Sequence, residues 1–239
     1  MSLNKKNMNW KVFGRMVAVS FLAIAAVAVV VGVFSRNRKG WTEWEQKVIS
    51  LSDSLMYVTV LPEDSLILRT PSADLSESML RSPQLKILLD KMLYTVQDPS
   101  QDGVGIAAPQ VGINRRIVCV QRFDKPGEPF ECYLNVRAEL LAPATRRGQE
   151  GCLSVPGYRG SVLRSEKVAV HYIKPGTLES KVDTVEGFTA VIFQHECDHL
   201  DGILYIDRAD SLSLNPDWIA GRTAFSYIRP AWWQNPAKN

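Results

Sequence analysis

Two of the chain's three histidines, His195 and His199, stand four residues apart in "FQHECDHLDG". On a helix that spacing puts both imidazoles on one face, where they can hold one cation. Glu196 lies between them and can take a proton from a water polarised by that cation. A polar helix that uses its histidines for packing is the competing reading.

The third ligand discriminates among metal chemistries. The metzincin pattern would place a histidine at position 205, where this chain has Tyr205. Another zincin arrangement needs a glutamate well downstream, but only Asp201, Asp207, Asp210 and Asp217 follow His199. Upstream, "GQEGCLSVPG" offers the thiolate of Cys152 in a glycine-flanked segment. One cysteine and two histidines leave a fourth position for water. That donor set suits ferrous iron or zinc better than magnesium or calcium.

These residues need a helix under the histidines and a scaffold to bring Cys152 to it. "FTAVIFQHECDHLDGILY" must be that helix. "SPQLKILLDKMLYTVQD" has apolar residues at Leu85, Leu88, Leu89, Met92, Leu93 and Val96, with Ser82 as N-cap and Pro83 at the first position. "RRIVCVQRF", "PFECYLNV", "KVAVHYIK" and "KVDTVEGF" read as strands, separated by turns such as Lys125-Pro126-Gly127. "YVTVLPEDSLILRTPSADL" reads as a short strand followed by turns, and "QDGVGIAAPQVG" as a glycine-rich loop. Helix, strands and helix in that order point to α+β.

The length of 239 residues fits one domain with an appendage. A net charge of +3, without a basic patch carrying interleaved aromatics, gives no indication of nucleic-acid binding. The four cysteines do not form the spacing of a disulfide framework, so Cys119, Cys132 and Cys197 read as small core residues.

Residues 16–34 carry no charge. As a helix they would be about 28 Å long, close to a bilayer's hydrocarbon thickness. Trp10, Trp41 and Trp44 lie near the two ends, where indole rings favour the interface. A signal peptide cleaved after Ala26-Val27-Ala28 competes, but it would expose "VVVGVF"; a start at Met56 is another alternative. The expected layout is an anchor at 1–40, a linker at 41–56, a catalytic domain at 57–210 and a Trp-rich tail at 211–239. Trp218, Trp232 and Trp233 of that tail would lie at the interface or pack on the domain.

Three stretches, "GVGIAAPQ" at 103–110, "EGCLS" at 150–154 and "QHECDHLDG" at 194–202, together resemble the peptide deformylase family. The resemblance runs from about 57 to 208. It implies antiparallel strands around a central metal-binding helix, and hydrolysis of the formyl group from N-formylmethionyl peptides. It implies Cys152, His195 and His199 as ligands of one divalent ion, usually Fe(II), with Zn(II) as the alternative. Glu196 would move the proton, while the Gln110 side chain and the Leu153 N–H would stabilise the oxyanion. Gly103, Val104 and Gly105 would run along the substrate backbone. Val191 and Ile192 would line the methionine pocket, and Arg159 would lie near the substrate main chain. Glu150 reads as a supporting carboxylate. Val136 stands where the family usually has proline, a change expected to touch only a strand edge.

A metal hydrolase of another small amide, or a non-catalytic peptide-binding module, are the alternatives; the intact ligand set argues against the second. For the anchored domain the cytoplasmic face is favoured, because formylated N-termini arise there and a thiolate-bound ferrous site survives best in a reducing compartment. Export is the competing orientation, and the nearly balanced flanking charges do not decide it.

Overall fold

A computed structural model describes residues 40–51, 53–99, 103–214 and 230–233. The span 16–34 and Trp218 lie outside these residues. No helix among the described residues is long and apolar enough to cross a membrane.

Among the described residues four helices precede the first strand: α1 (Glu43–Ser50), α2 (Ser65–Arg69), α3 (Glu77–Leu80) and α4 (Pro83–Val96). α4 buries Leu85, Leu88, Leu89, Met92 and Val96, the stripe its periodicity predicts. Ser82 stands at its N-cap position without capping it; the hydroxyl donates to the Met79 carbonyl (2.8 Å) and accepts from Trp41 Nε1 (2.8 Å). α1 forms where a linker is expected. Its signal is "TEWE", a capping box: Thr42 Oγ1 accepts from Glu45 N (3.1 Å) and Glu45 Oε2 from Thr42 N (2.7 Å). Val48 and Ile49 then enter the core, and Glu45 makes a buried two-pronged pair with Arg115 (2.7 and 3.1 Å).

Two antiparallel sheets follow. The larger has the order β1-β2-β3-β6-β7, with β1 Gly105–Ala107, β2 Ile117–Gln121, β3 Phe130–Leu140, β6 Lys167–Ile173 and β7 Ser180–Glu186. Helix α5 (Gly187–Leu200) covers one face, burying Phe193 and Leu200 against Val118, Val120, Val136 and Val170. α4 and α1 cover the other, against Ile117, Cys119 and Leu134. Both faces of β2 are therefore dry, which explains its unbroken apolar run "IVCV". The smaller sheet is β4-β5-β8, from Ala144–Cys152, Val155–Ser165 and Ser211–Leu214.

Several expectations are corrected. Cys119 and Cys132 face each other across β2 and β3 and form a disulfide. Spacing along the chain could not show this, because the pairing is set by hairpin register. Tyr57–Val60 is no ladder strand but an extended connector: Thr59 N donates to Gln110 O (2.8 Å) and Leu61 N to Ser154 O (2.9 Å). Val136 is fully buried in an interior strand rather than at an edge. It sits at a bulge between Leu134 and Arg137, beside Asn135 at φ +49°. A bulge frees a ladder N–H, so proline is tolerated there as well. Of the two alternatives open for the tail, Trp233 takes packing on the domain: it is buried in the core next to Trp44 and Tyr57.

Candidate metal centre and cleft

α5 is nearly all buried, so its polar residues must find partners inside the protein. His195 and His199 rise from successive turns with ring centroids 5.1 Å apart. β4 ends at Cys152, and the hairpin to β5 carries its thiol to 3.2 Å from His199 Nε2. The ligand atoms of Cys152, His195 and His199 lie within 4.8 Å of one another.

The period of a strand puts Glu150 on the same face as Cys152. Its carboxylate accepts from His195 Nδ1 (2.8 Å), leaving Nε2 for the ligand cluster. Arg164 on β5 clasps Glu150 through Nε and Nη2 (2.8 and 3.0 Å) and reaches Asp198 through Nη1 (2.6 Å). Arg208 completes the chain by pairing with Asp198 (2.6 and 2.7 Å). This run of alternating charges ties the β4–β5 hairpin to α5. Burial alone would raise the Glu150 carboxyl, but Arg164 and His195 hold it at about 2, so it stays an acceptor. Burial also keeps the His199 ring neutral.

Glu196 belongs to a different environment. Burial pushes its carboxyl up to about 7, with His195 pulling the other way. Its Oε2 is buried with no hydrogen-bond partner among the described residues. β1 passes so close that a Cβ at Gly105 would lie 2.5 Å from Glu196 Oε1 and 2.9 Å from Ile192 Cγ2. Only glycine fits there.

Gln110 is buried in a 3₁₀ turn, Ala108–Val111, that directly follows β1. Its Oε1 accepts from Ala107 N (2.8 Å), so the amide has one orientation. Nε2 therefore points at Cys152 Sγ (3.6 Å) and Ser154 Oγ (3.3 Å). Ser154 N also donates to Cys152 Sγ (3.4 Å).

The donors fit a cation: a thiolate and two imidazoles converge, one imidazole is oriented by a carboxylate, and an orphaned buried carboxylate oxygen stands beside them. A cleft of about 300 Å³ opens over this group. Gly103, Val104, Gly105, Gln110, Cys152, Leu153, Arg159, Val191, Ile192, His195 and Glu196 all line it. Every candidate residue thus faces one cavity except His199, which is buried with its Nε2 3.2 Å from Cys152 Sγ. Sequence reading missed Tyr158 and Phe188, half-exposed aromatics on the cleft wall. Neither lies in one of the three motifs, so only their place next to Arg159 or before Val191 could have marked them. Tyr205, where a metzincin would carry a ligand, instead stacks on His195 at 6.1 Å between centroids.

Comparison with known proteins agrees with this geometry. The model of the polypeptide deformylase family matches residues 56–215. A peptide deformylase of Leptospira biflexa is 39% identical over 155 residues, covering 62% of this chain and 85% of the relative. One of Symbiobacterium thermophilum is 42% identical over 129 residues, 54% of this chain and 57% of the relative. Among solved structures, the Met-Ala-Ser-bound class I type b peptide deformylase from Acinetobacter baumannii is 38% identical with a TM-score of 0.57, covering 64% of this chain and 99% of that one. The peptide deformylase from Thermotoga maritima is 31% identical with a TM-score of 0.57, covering 66% and 99%. With the ligand triad gathered beneath a cleft that the glycine strand and the helix line, and a family match over most of the described residues, the chain belongs to the polypeptide deformylase family.

Proposed function

We propose that this chain removes the formyl group from the N-terminus of nascent peptides, with Cys152, His195 and His199 holding Fe(II) and Glu196 moving the proton. Membership of the family makes it a metal-dependent peptide deformylase. The observation that carries the assignment of roles is the separation of two carboxylates beside one triad. Glu150 is neutralised by Arg164 and His195, whereas Glu196, which also lines the cleft, keeps a buried oxygen with no hydrogen-bond partner among the described residues.

The metal, when bound, acts as a Lewis acid that activates water and polarises the formyl carbonyl. Glu196 accepts a proton as the water oxygen adds to the formyl carbon. It then returns a proton to the nitrogen as the C–N bond breaks, so formate and a free amine leave. The Gln110 side-chain amide and the Leu153 N–H would stabilise the oxygen that becomes negative, as the family likeness implies; removal of one such donor commonly costs about 2.7–4 kcal/mol. Gly105 opens β1, an edge strand, with Val104 just before it, and this segment can pair with an extended peptide backbone. Val191 and Ile192 offer an apolar wall for methionine, and Arg159 a charge for the peptide main chain. Thiolate and imidazole donors also accept Zn(II), and we assign Fe(II) as the native ion on the family's usage.

The full-length protein, loaded anaerobically with Fe(II), is expected to release formate from formyl-Met-Ala-Ser and none from acetyl-Met-Ala-Ser. Equal turnover of formylated and acetylated peptides, or of unrelated small amides, would overturn the substrate assignment.

We also propose that residues 16–34 anchor the protein in a membrane with its domain on the cytoplasmic face. Their uncharged length and their basic and tryptophan flanks support this. The Cys119–Cys132 disulfide is the contrary observation, since such bonds persist in oxidising compartments. α1 packs in the core, so a soluble version should begin at residue 40 and not at 57. The full-length chain is expected to resist carbonate extraction, and the shortened chain to be soluble and active. Recovery of the full-length chain in the soluble fraction sinks the anchor. Digestion of the domain from outside spheroplasts reverses its orientation.

A further inference from the structure

The family match ends at residue 215 and begins at 56, yet residues on both sides of it return to the same spot. Trp44 comes from α1 and Trp233 from the far end of the chain. Their rings meet edge to face at 5.0 Å between centroids. Both bear on Gly112, which closes the 3₁₀ turn that holds Gln110. Trp44 Nε1 donates to the Gly112 carbonyl (2.9 Å). The Trp233 ring fills the space where a Gly112 side chain would stand, at a residue held at φ +83°.

A second route runs from Trp233 to the same turn. Its Nε1 donates to Asp64 Oδ1 (3.1 Å). The other oxygen of Asp64 accepts from Tyr57 Oη (2.8 Å) and Val60 N (3.1 Å). That fixes the connector whose Thr59 donates its N–H to Gln110 O (2.8 Å) and its hydroxyl to Pro109 O (3.1 Å). Both routes act on backbone groups within two residues of Gln110.

We infer that Trp233 and Trp44 form a clasp, built from segments outside the family domain, that positions the Gln110 side-chain amide for catalysis. The inference deepens the proposed function and rests on Gln110 being an oxyanion donor. A donor displaced by a fraction of an ångström binds substrate as before but stabilises the transition state less. Trp233 and Trp44 are positioning residues, because neither lines the cleft.

The test is a double-mutant cycle on formyl-Met-Ala-Ser with Trp233→Ala and Gln110→Ala in the full chain. Trp233→Ala is expected to lower kcat by about ten-fold or more, with KM and metal content nearly unchanged. In the Gln110→Ala background it should lower kcat by less than about two-fold, since the group it positions is gone. An equal loss in both backgrounds, or none in either, overturns the clasp even if Tm falls. Should Trp233→Ala fail to fold, Trp44→Phe keeps the ring and removes the bond to Gly112, and the same cycle decides. If Gln110→Ala alone keeps full kcat, the oxyanion role of Gln110 is wrong and the clasp falls with it. That failure is distinguishable because it shows in the single Gln110 variant.

Discussion

Glu196→Gln is expected to bind metal like the parent protein and to lose most of its kcat. The substitution keeps shape and volume, so the tight approach of Gly105 and Ile192 is undisturbed. What it removes is the ability to accept a proton. General acid–base groups contribute about 10²–10⁴-fold, and a group that serves both halves of a hydrolysis belongs toward the upper end. Glu196 is not one of the three converging donors, so metal content, read by elemental analysis, should be unchanged. KM should move little, because the peptide contacts proposed above lie along β1 and the cleft wall and not on Glu196. A Glu196→Gln protein that comes out metal-free would make Glu196 a ligand. One that keeps full kcat would place the proton transfer elsewhere.

How far the sequence disclosed this arrangement depends on the range over which each signal acts. His195, Glu196 and His199 were legible because a helix maps a spacing of four directly onto one face. Cys152 was legible as a thiolate between glycines, but its partner strands were not. β4 and β5 carry charged residues such as Arg146, Arg147 and Arg164 that hide a strand's alternation. Arg164 illustrates the loss. In sequence it is one more basic residue, and only the hairpin register brings it between Glu150 and Asp198. The Cys119–Cys132 disulfide was missed for the same reason, since pairing across a hairpin is a property of register. α1 was misread although its capping box "TEWE" was present. Eight residues are too few to give a clear period, and the partners that bury Val48 and Ile49 come from α4 and the chain's end. The role of Trp233 was open for a related reason. Nothing local says which surface a tryptophan so far along the chain will cover.

The four cysteines, replaced by serine one at a time, should separate into three behaviours. Cys152→Ser is expected to lose its metal and all measurable activity. A hydroxyl keeps its proton near neutral pH and cannot replace a thiolate donor, while Gln110 Nε2 and Ser154 N stay aimed at a position without negative charge. Cys197→Ser should keep metal and activity. Its side chain is buried against the sheet and not directed at the ligand cluster, and burial pushes its thiol up to about 12, so it takes no part as a thiolate. Cys119→Ser and Cys132→Ser form the third class. They should keep metal and activity but lose stability on loss of the crosslink, by about 3 kcal/mol for a loop of this size. The loss should appear in Tm for protein purified without reductant and vanish when parent and variant are compared fully reduced. Metal content, formate release and Tm measured on all four proteins test each class separately. A Cys152→Ser protein with a full complement of metal would remove the thiolate from the centre. The triad would then reduce to two histidines, too few to hold the ion that the chemistry needs.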